Sequence, residues 1–159
     1  MEWSPLWITN NLNAPLFLGA LVLIAFHAGE IPSRIFGAYL IKFFGELRIG
    51  FHLVIIGCFC IFVSIITMHY IIIAVAAFIF GFATGNTNPI VIRQAIKSTN
   101  ENIPTTIANL MTLAFSGLMI GPGIVGLTAK YMGMTFNMYL LAIIWSLRAI
   151  IFFINFMRE

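Results

Sequence analysis

The chain contains no aspartate, and its five acidic residues are all glutamate. Charged residues make up 8% of the 159, where an ordinary soluble domain carries about a quarter. That is too little charge to coat a water-facing surface. Without aspartate there is no aspartyl dyad, and neither His-Glu-x-x-His nor Gly-x-Ser-x-Gly occurs. His27, His52 and His69 lack metal-ligand spacing. The sequence therefore points to no enzyme, no metal and no cofactor. Cysteine is scarce as well. Cys58 and Cys60 stand in C-x-C spacing inside an apolar run, the setting of two small buried hydrophobes rather than a disulfide or metal pair. A net charge of +3 is too small to imply nucleic acid as a partner. The basic residues read better as topology signals. With Glu2 and no early Lys or Arg, the positive n-region of a signal peptide is missing.

What is abundant is apolar: 61% of residues are hydrophobic and the mean hydropathy is +1.04. The expected fold class is all-α, a polytopic membrane protein whose partner is the lipid bilayer. A span needs about 20 apolar residues. That rule places five spans at about 15–40, 50–68, 70–96, 107–131 and 136–156. Residues 1–14 are too short to cross. Trp3 and Trp7 beside Asn10, Asn11 and Asn13 read as an interfacial aromatic belt. Lys42, Glu46 and Arg48 fall in the loop after the first span, and His69 marks the turn after the second. Pro104 suits the first turn of the fourth helix, where its missing N–H costs nothing.

The spans divide into two classes. The second and fifth are bulky and bland, so they are expected to be lipid-facing supports. The first, third and fourth carry Gly, Pro, Asn, Thr and charge, so they are expected inside, around a cavity or a tight seam. The stretch 81–97, Gly-Phe-Ala-Thr-Gly-Asn-Thr-Asn-Pro-Ile-Val-Ile-Arg-Gln-Ala-Ile-Lys, is too polar for a helix facing lipid alone. Asn86 and Asn88 are expected toward an interior, and Pro89 could break the helix and free backbone carbonyls for a midplane site. In the first span His27, Glu30 and Arg34 share a helical face. Glu30 is a candidate proton carrier or substrate-orienting group, and Arg34 an i,i+4 partner. Asn109 joins the candidate cavity residues. In the fourth span Gly117-x-x-x-Gly121-Pro122 with Gly126 reads as a kinked, closely packed scaffold helix. Arg148, near the middle of the fifth span, either snorkels or wants a partner that this chain lacks.

Lys42, Arg48, Arg93 and Lys97 cluster on one side, with Arg158 at the tail, and the opposite side has only Lys130. The positive-inside rule puts those anchors and the C-terminus in the cytoplasm. The N-terminus is then periplasmic if the protein sits in a bacterial inner membrane, a setting that fits the high Ile, Phe and Asn usage.

Four stretches resemble the C-terminal half of the major facilitator superfamily. Glu2-Trp3-Ser4 with 8–13 resembles the periplasmic end of its seventh helix. Ser33-Arg34-Ile35-Phe36-Gly37 followed by Lys42-Phe43-Phe44-Gly45 resembles the eighth helix and its basic loop. Residues 81–92 resemble the tenth helix and 116–126 the eleventh. Ala38 stands where the family's loop motif carries an Asp, and Glu46 does not obviously replace it. The glycine-rich stretch also resembles the antiporter motif of the family's fifth helix, but the third span lacks the Arg expected in the fourth helix's core. The resemblance implies that the five spans are helices eight to twelve of a partial bundle, with the eighth, tenth and eleventh lining the cavity. It implies conformational or packing roles for Arg34, Gly37, Pro89, Gly117, Gly121, Pro122 and Gly126. A full member has two six-helix halves. The expected function is thus that of a partial secondary transporter for a small solute, working only with a separate N-terminal half or a second copy. The alternative is a small non-transporting membrane protein with a structural role.

The topology is checked by single cysteines in a chain with Cys58 and Cys60 replaced by Ala. A membrane-impermeant maleimide should label Asn10→Cys and His69→Cys on intact cells. Phe44→Cys and Asn102→Cys should react only after permeabilisation.

Overall fold

The structure, a computed structural model, describes residues 4–99 and 102–157. It is a helical bundle: α1 (Ser4–Leu12), α2 (Leu16–Phe44), α3 (Glu46–Thr67), α4 (Tyr70–Ser98), α5 (Ile103–Met132) and α6 (Met134–Met157). Helices α2 to α6 are each long and apolar enough to cross a membrane.

The turns follow from single residues. The expected loop 42–48 shrinks to Gly45, because helix α2 runs to Phe44 and α3 starts at Glu46. Gly45 takes φ +85° and closes α2 through its N–H to the Ile41 carbonyl at 2.9 Å. That conformation is open only to glycine, so one residue reverses the chain. Gly133 does the same between α5 and α6, at φ +83° with its N–H on Ala129 O. Met68 ends α3 in the left-handed region, and extended His69 precedes α4. Pro104 lies in the first turn of α5. The turn between α4 and α5 includes Asn100 and Glu101, which lie outside the described residues, as do Trp3 and Arg158.

The tightest packing joins α2 to α4. Two rows of small residues face each other at helical spacing: Gly29-x-x-x-Ser33-x-x-x-Gly37 on α2 and Ala77-x-x-x-Gly81-x-x-x-Gly85 on α4. All six are buried. A Cβ at Gly29 would fall on the Phe78 carbonyl, and one at Gly81 on the Phe26 carbonyl. The two backbones therefore touch, at the distance where Cα–H groups meet carbonyl oxygens. In lipid, where apolar burial itself drives no helix association, such close contact is the main source of attraction. Ser33 adds a hydrogen bond, its Oγ donating to Phe82 O at 2.6 Å.

Helix α3 forms the centre, against α4 on one side and α6 on the other. This corrects its expected role as a lipid-facing support. Gly50, Gly57 and Ser64 recur every seven residues along it and are buried. Gly50 seats Phe152, and Gly57 seats Trp145 with a Cβ-to-ring distance of 3.0 Å. Small residues under large aromatics make the close fit, and Trp145 also meets Phe80 edge-on at 4.7 Å between centroids.

Helix α5 departs from expectation the other way. Only Thr106 is buried among its described residues. It is pinned to α6 near Gly133: Thr128 Oγ1 donates to Asn137 Oδ1 at 2.5 Å, and Asn137 Nδ2 to Val125 O at 3.2 Å. Beyond that hairpin it leans on little else. Short α1 packs on α2 and α6. Its Trp7 is not at an interfacial surface as expected but 1% exposed, with Nε1 donating to Thr135 Oγ1 at 3.3 Å.

Overpacking a tight core costs about 1–3 kcal/mol or more. Gly29→Leu and Gly81→Leu should therefore lower unfolding stability by at least that amount in a steric-trapping assay in bicelles. Gly121→Leu should change it by less than about 0.5 kcal/mol, because nothing lies near that position.

Candidate functional site

The polar residues of the bundle sort into three places. The first is the edge of the α2–α4 seam. His27, Glu30 and Arg34 do share a face of α2. His27 Nδ1 lies 3.4 Å from Glu30 Oε2, and Arg34 Nη2 lies 3.8 Å from the same oxygen. Their side chains are 57%, 23% and 72% exposed respectively. Glu30 is the least exposed because its helix position borders the seam, where its carbonyl lies against Gly85. The long 3.8 Å separation leaves this carboxylate loosely held. Pro32, inside α2, has no N–H for the Ala28 carbonyl.

One turn further along the seam is Asn86, 4% exposed and packed onto Gly37. Its Nδ2 has no hydrogen-bond partner. The helix around it does not break: α4 is continuous from Tyr70 to Ser98 with Pro89 inside it. Pro89 still withholds an N–H from the Gly85 carbonyl. Thr84 and Thr87 consume their hydroxyls within α4, on Phe80 O and Ala83 O. Asn88 and Asn109 are exposed. The expectation that Asn86 and Asn88 face one interior fails for a geometric reason. Residues two apart on a helix point about 200° apart, so only one of them can enter the seam.

The second place is the far end of α2, α4 and α6. Glu46, in the first turn of α3, is a hub. Lys97 Nζ lies 2.6 Å from its Oε2, Gln94 Nε2 donates to the same oxygen at 3.3 Å, and Arg93 Nη1 lies 3.5 Å from Oε1. Arg93 and Lys97, expected as separate anchors, thus converge on one carboxylate. Lys42 and Arg48 stay exposed on either side of Gly45. Ala38 leaves α2 without an acid here. Glu46, one residue past the turn, supplies the negative charge that ties α3 to α4.

The third place is the open side of α5. Gly117 and Gly121 continue, at steps of four, the row that reaches α6 at Val125. A Cβ at Gly117, Gly121, Gly123 or Gly126 would meet nothing within 4 Å. The closely packed scaffold helix expected here has no close neighbour at these glycines; it rests on α6 and, more weakly, on α4. Pro122 does not interrupt it. Across the hairpin, Arg148 lays its guanidinium over the Trp145 ring at 5.2 Å. It is in none of the ion pairs formed among the described residues.

Among the described residues no group of three His, Cys, Asp or Glu side chains could hold a metal ion. Cys58 and Cys60 are free thiols, the first half-buried and the second buried. Sequence reasoning missed the Glu46 hub and half of the seam. The seam had a signal in the four-residue spacing of Gly29, Ser33 and Gly37. The hub had none, since Glu46 meets Arg93 and Lys97 only through folding.

Comparison with protein-family models, with curated proteins and with solved structures gives no match.

A buried amide donor without a partner costs about 1–3 kcal/mol. Asn86→Ala should therefore leave stability unchanged or raise it, measured by the same steric-trapping assay. Gly37→Ala, which forces a methyl onto Asn86, should lower it.

Proposed function

We propose that the chain is the C-terminal portion of a secondary transporter of the major facilitator type, carrying a small solute across a bacterial inner membrane. In this reading its N-terminal side is periplasmic. It moves solute only together with a separate N-terminal half or a second copy. The observation that carries the reading is the bare face of α5. A membrane helix with Gly117, Gly121 and Gly126 is suited to close helix contact, and the described residues offer those glycines none. Their natural counterpart is another bundle.

The polar edge of α2 fits the same reading. Glu30 is partly exposed, loosely paired and about 21 Å from the start of α2 at 1.5 Å per residue. A carboxylate at that depth, facing a second bundle across a cavity, suits proton coupling. Asn86 and the carbonyls freed by Pro32 and Pro89 supply further polar groups nearby. Two walls are needed for alternating access by rocking, and this chain forms one.

The test uses inverted membrane vesicles with an imposed pH gradient and a panel of sugars, carboxylates and organic cations. The chain as a monomer should dissipate the gradient with none of them. Co-expressed with the membrane protein encoded by the adjoining reading frame, it should do so with at least one. Glu30→Gln should cut that flux at least about tenfold, 1.4 kcal/mol, and Gly121→Leu should abolish assembly. Solute flux by the chain as a monomer would sink the reading, and flux by a homodimer would assign the second wall to a second copy. A stable assembly without flux would favour a structural role instead.

A further inference from the structure

We infer that the end of the bundle formed by α3, α4 and α6 holds one anionic phospholipid, its phosphodiester on Arg93 and Lys97 and its acyl chain along the cleft beneath. The inference does not depend on the transporter reading. A cleft of about 270 Å³ opens here between the three helices. Its floor is apolar, with Val91, Ile151 and Phe152, and its rim is polar, with Gln94, Ser98 and Asn155. That division matches an amphipath rather than a free ion or an apolar chain alone.

The depth agrees. Ser98 is the last residue of α4, Leu47 the second of α3, and Asn155 lies in the last turn of α6. The rim is thus at the level of headgroups and the floor at the level of acyl chains. Two cations neighbour the cleft through Gln94 and Glu46. Gln94 lines the cleft and donates to Glu46 Oε2, and Lys97 Nζ lies 2.6 Å from the same oxygen. Arg93 approaches the other carboxylate oxygen at 3.5 Å.

Charge decides the class of lipid. Two cations share one carboxylate, which leaves one positive charge. Arg93 and Lys97 remain 52% and 63% exposed. Each spends one described bond on Glu46, where a guanidinium has five donors and an ammonium three. A phosphodiester with a single negative charge balances the excess and accepts from the spare donors. A phosphatidylcholine headgroup would bring its quaternary ammonium toward the same two cations.

The test is native mass spectrometry of the full chain in detergent, titrated with phosphatidylglycerol or phosphatidylcholine of matched acyl chains. One phosphatidylglycerol per chain should be retained in preference to phosphatidylcholine. The double variant R93Q/K97Q should weaken that retention about thirtyfold, as expected for two basic groups at a headgroup. A95W fills the cleft, where Ala95 forms part of the wall, and should weaken it although both cations remain. E46Q frees the cations and should strengthen it several-fold, the opposite of what loss of a purely structural tie would do. Glycerol phosphate, which lacks acyl chains, should not compete. Equal retention of the two lipids, indifference to A95W, weaker retention by E46Q with helical content unchanged by circular dichroism, or displacement by glycerol phosphate would each overturn the assignment.

Discussion

Backbone contact between α2 and α4 is the constraint on which the rest of the bundle depends. Once Gly29 and Gly81 allow the two chains to touch at the Phe78 and Phe26 carbonyls, the rotation of both helices is fixed. Ser33 then reaches Phe82 O, and Asn86 must lie on Gly37. A second face of α4 is left for α3, where Phe80 lies against Gly57. In a bilayer no hydrophobic pressure would collect these helices if the contact were lost. A single methyl at Gly29 or Gly81 opposes the whole arrangement.

The seam also explains why polar residues sit where they do. A helix that approaches another so closely has room for hydroxyls and backbone, but not for carboxylates. Serine and threonine enter the seam or bond back to their own helix. Glu30 stays at its border and His27 and Arg34 lie outside. Asn86 is the exception, placed in the seam with its amide unsatisfied. In a medium without water such a donor is costly, so it is the residue of the seam whose presence packing alone does not explain.

Small residues play two different parts in this chain. On α2, α3 and α4 they are filled by neighbours: carbonyls at Gly29 and Gly81, aromatic rings at Gly50 and Gly57. On α5 the same residue type is bare. The contrast makes α5 the surface most suited to assembly, and it leaves α5 held by a hairpin at Gly133 and the Thr128–Asn137 pair. At the other end of the molecule, Glu46 binds α3 to the end of α4 through Lys97, Arg93 and Gln94. Exposed ion pairs contribute little to stability by themselves, so this cluster fixes register and charge more than it fixes the fold.

The sequence by itself determined the class of protein and the number and order of its spans. Composition excluded a soluble fold, five apolar runs counted the spans, and His69 and Pro104 marked a turn and a helix start. It also determined that His27, Glu30 and Arg34 share a face, because that follows from helical spacing alone. What only the tertiary structure decided is which helix is central. Polarity suggested that α5 would be inside and α3 outside, yet α3 carries its small residues at a spacing of seven beneath Phe152 and Trp145, while the glycines of α5 touch nothing. Hydropathy reports whether a residue tolerates lipid, and it is blind to whether a neighbour's shape fits it. The same limit hid the Glu46 hub, whose partners lie some fifty positions away in the chain and meet it only because α3 and α4 pack side by side.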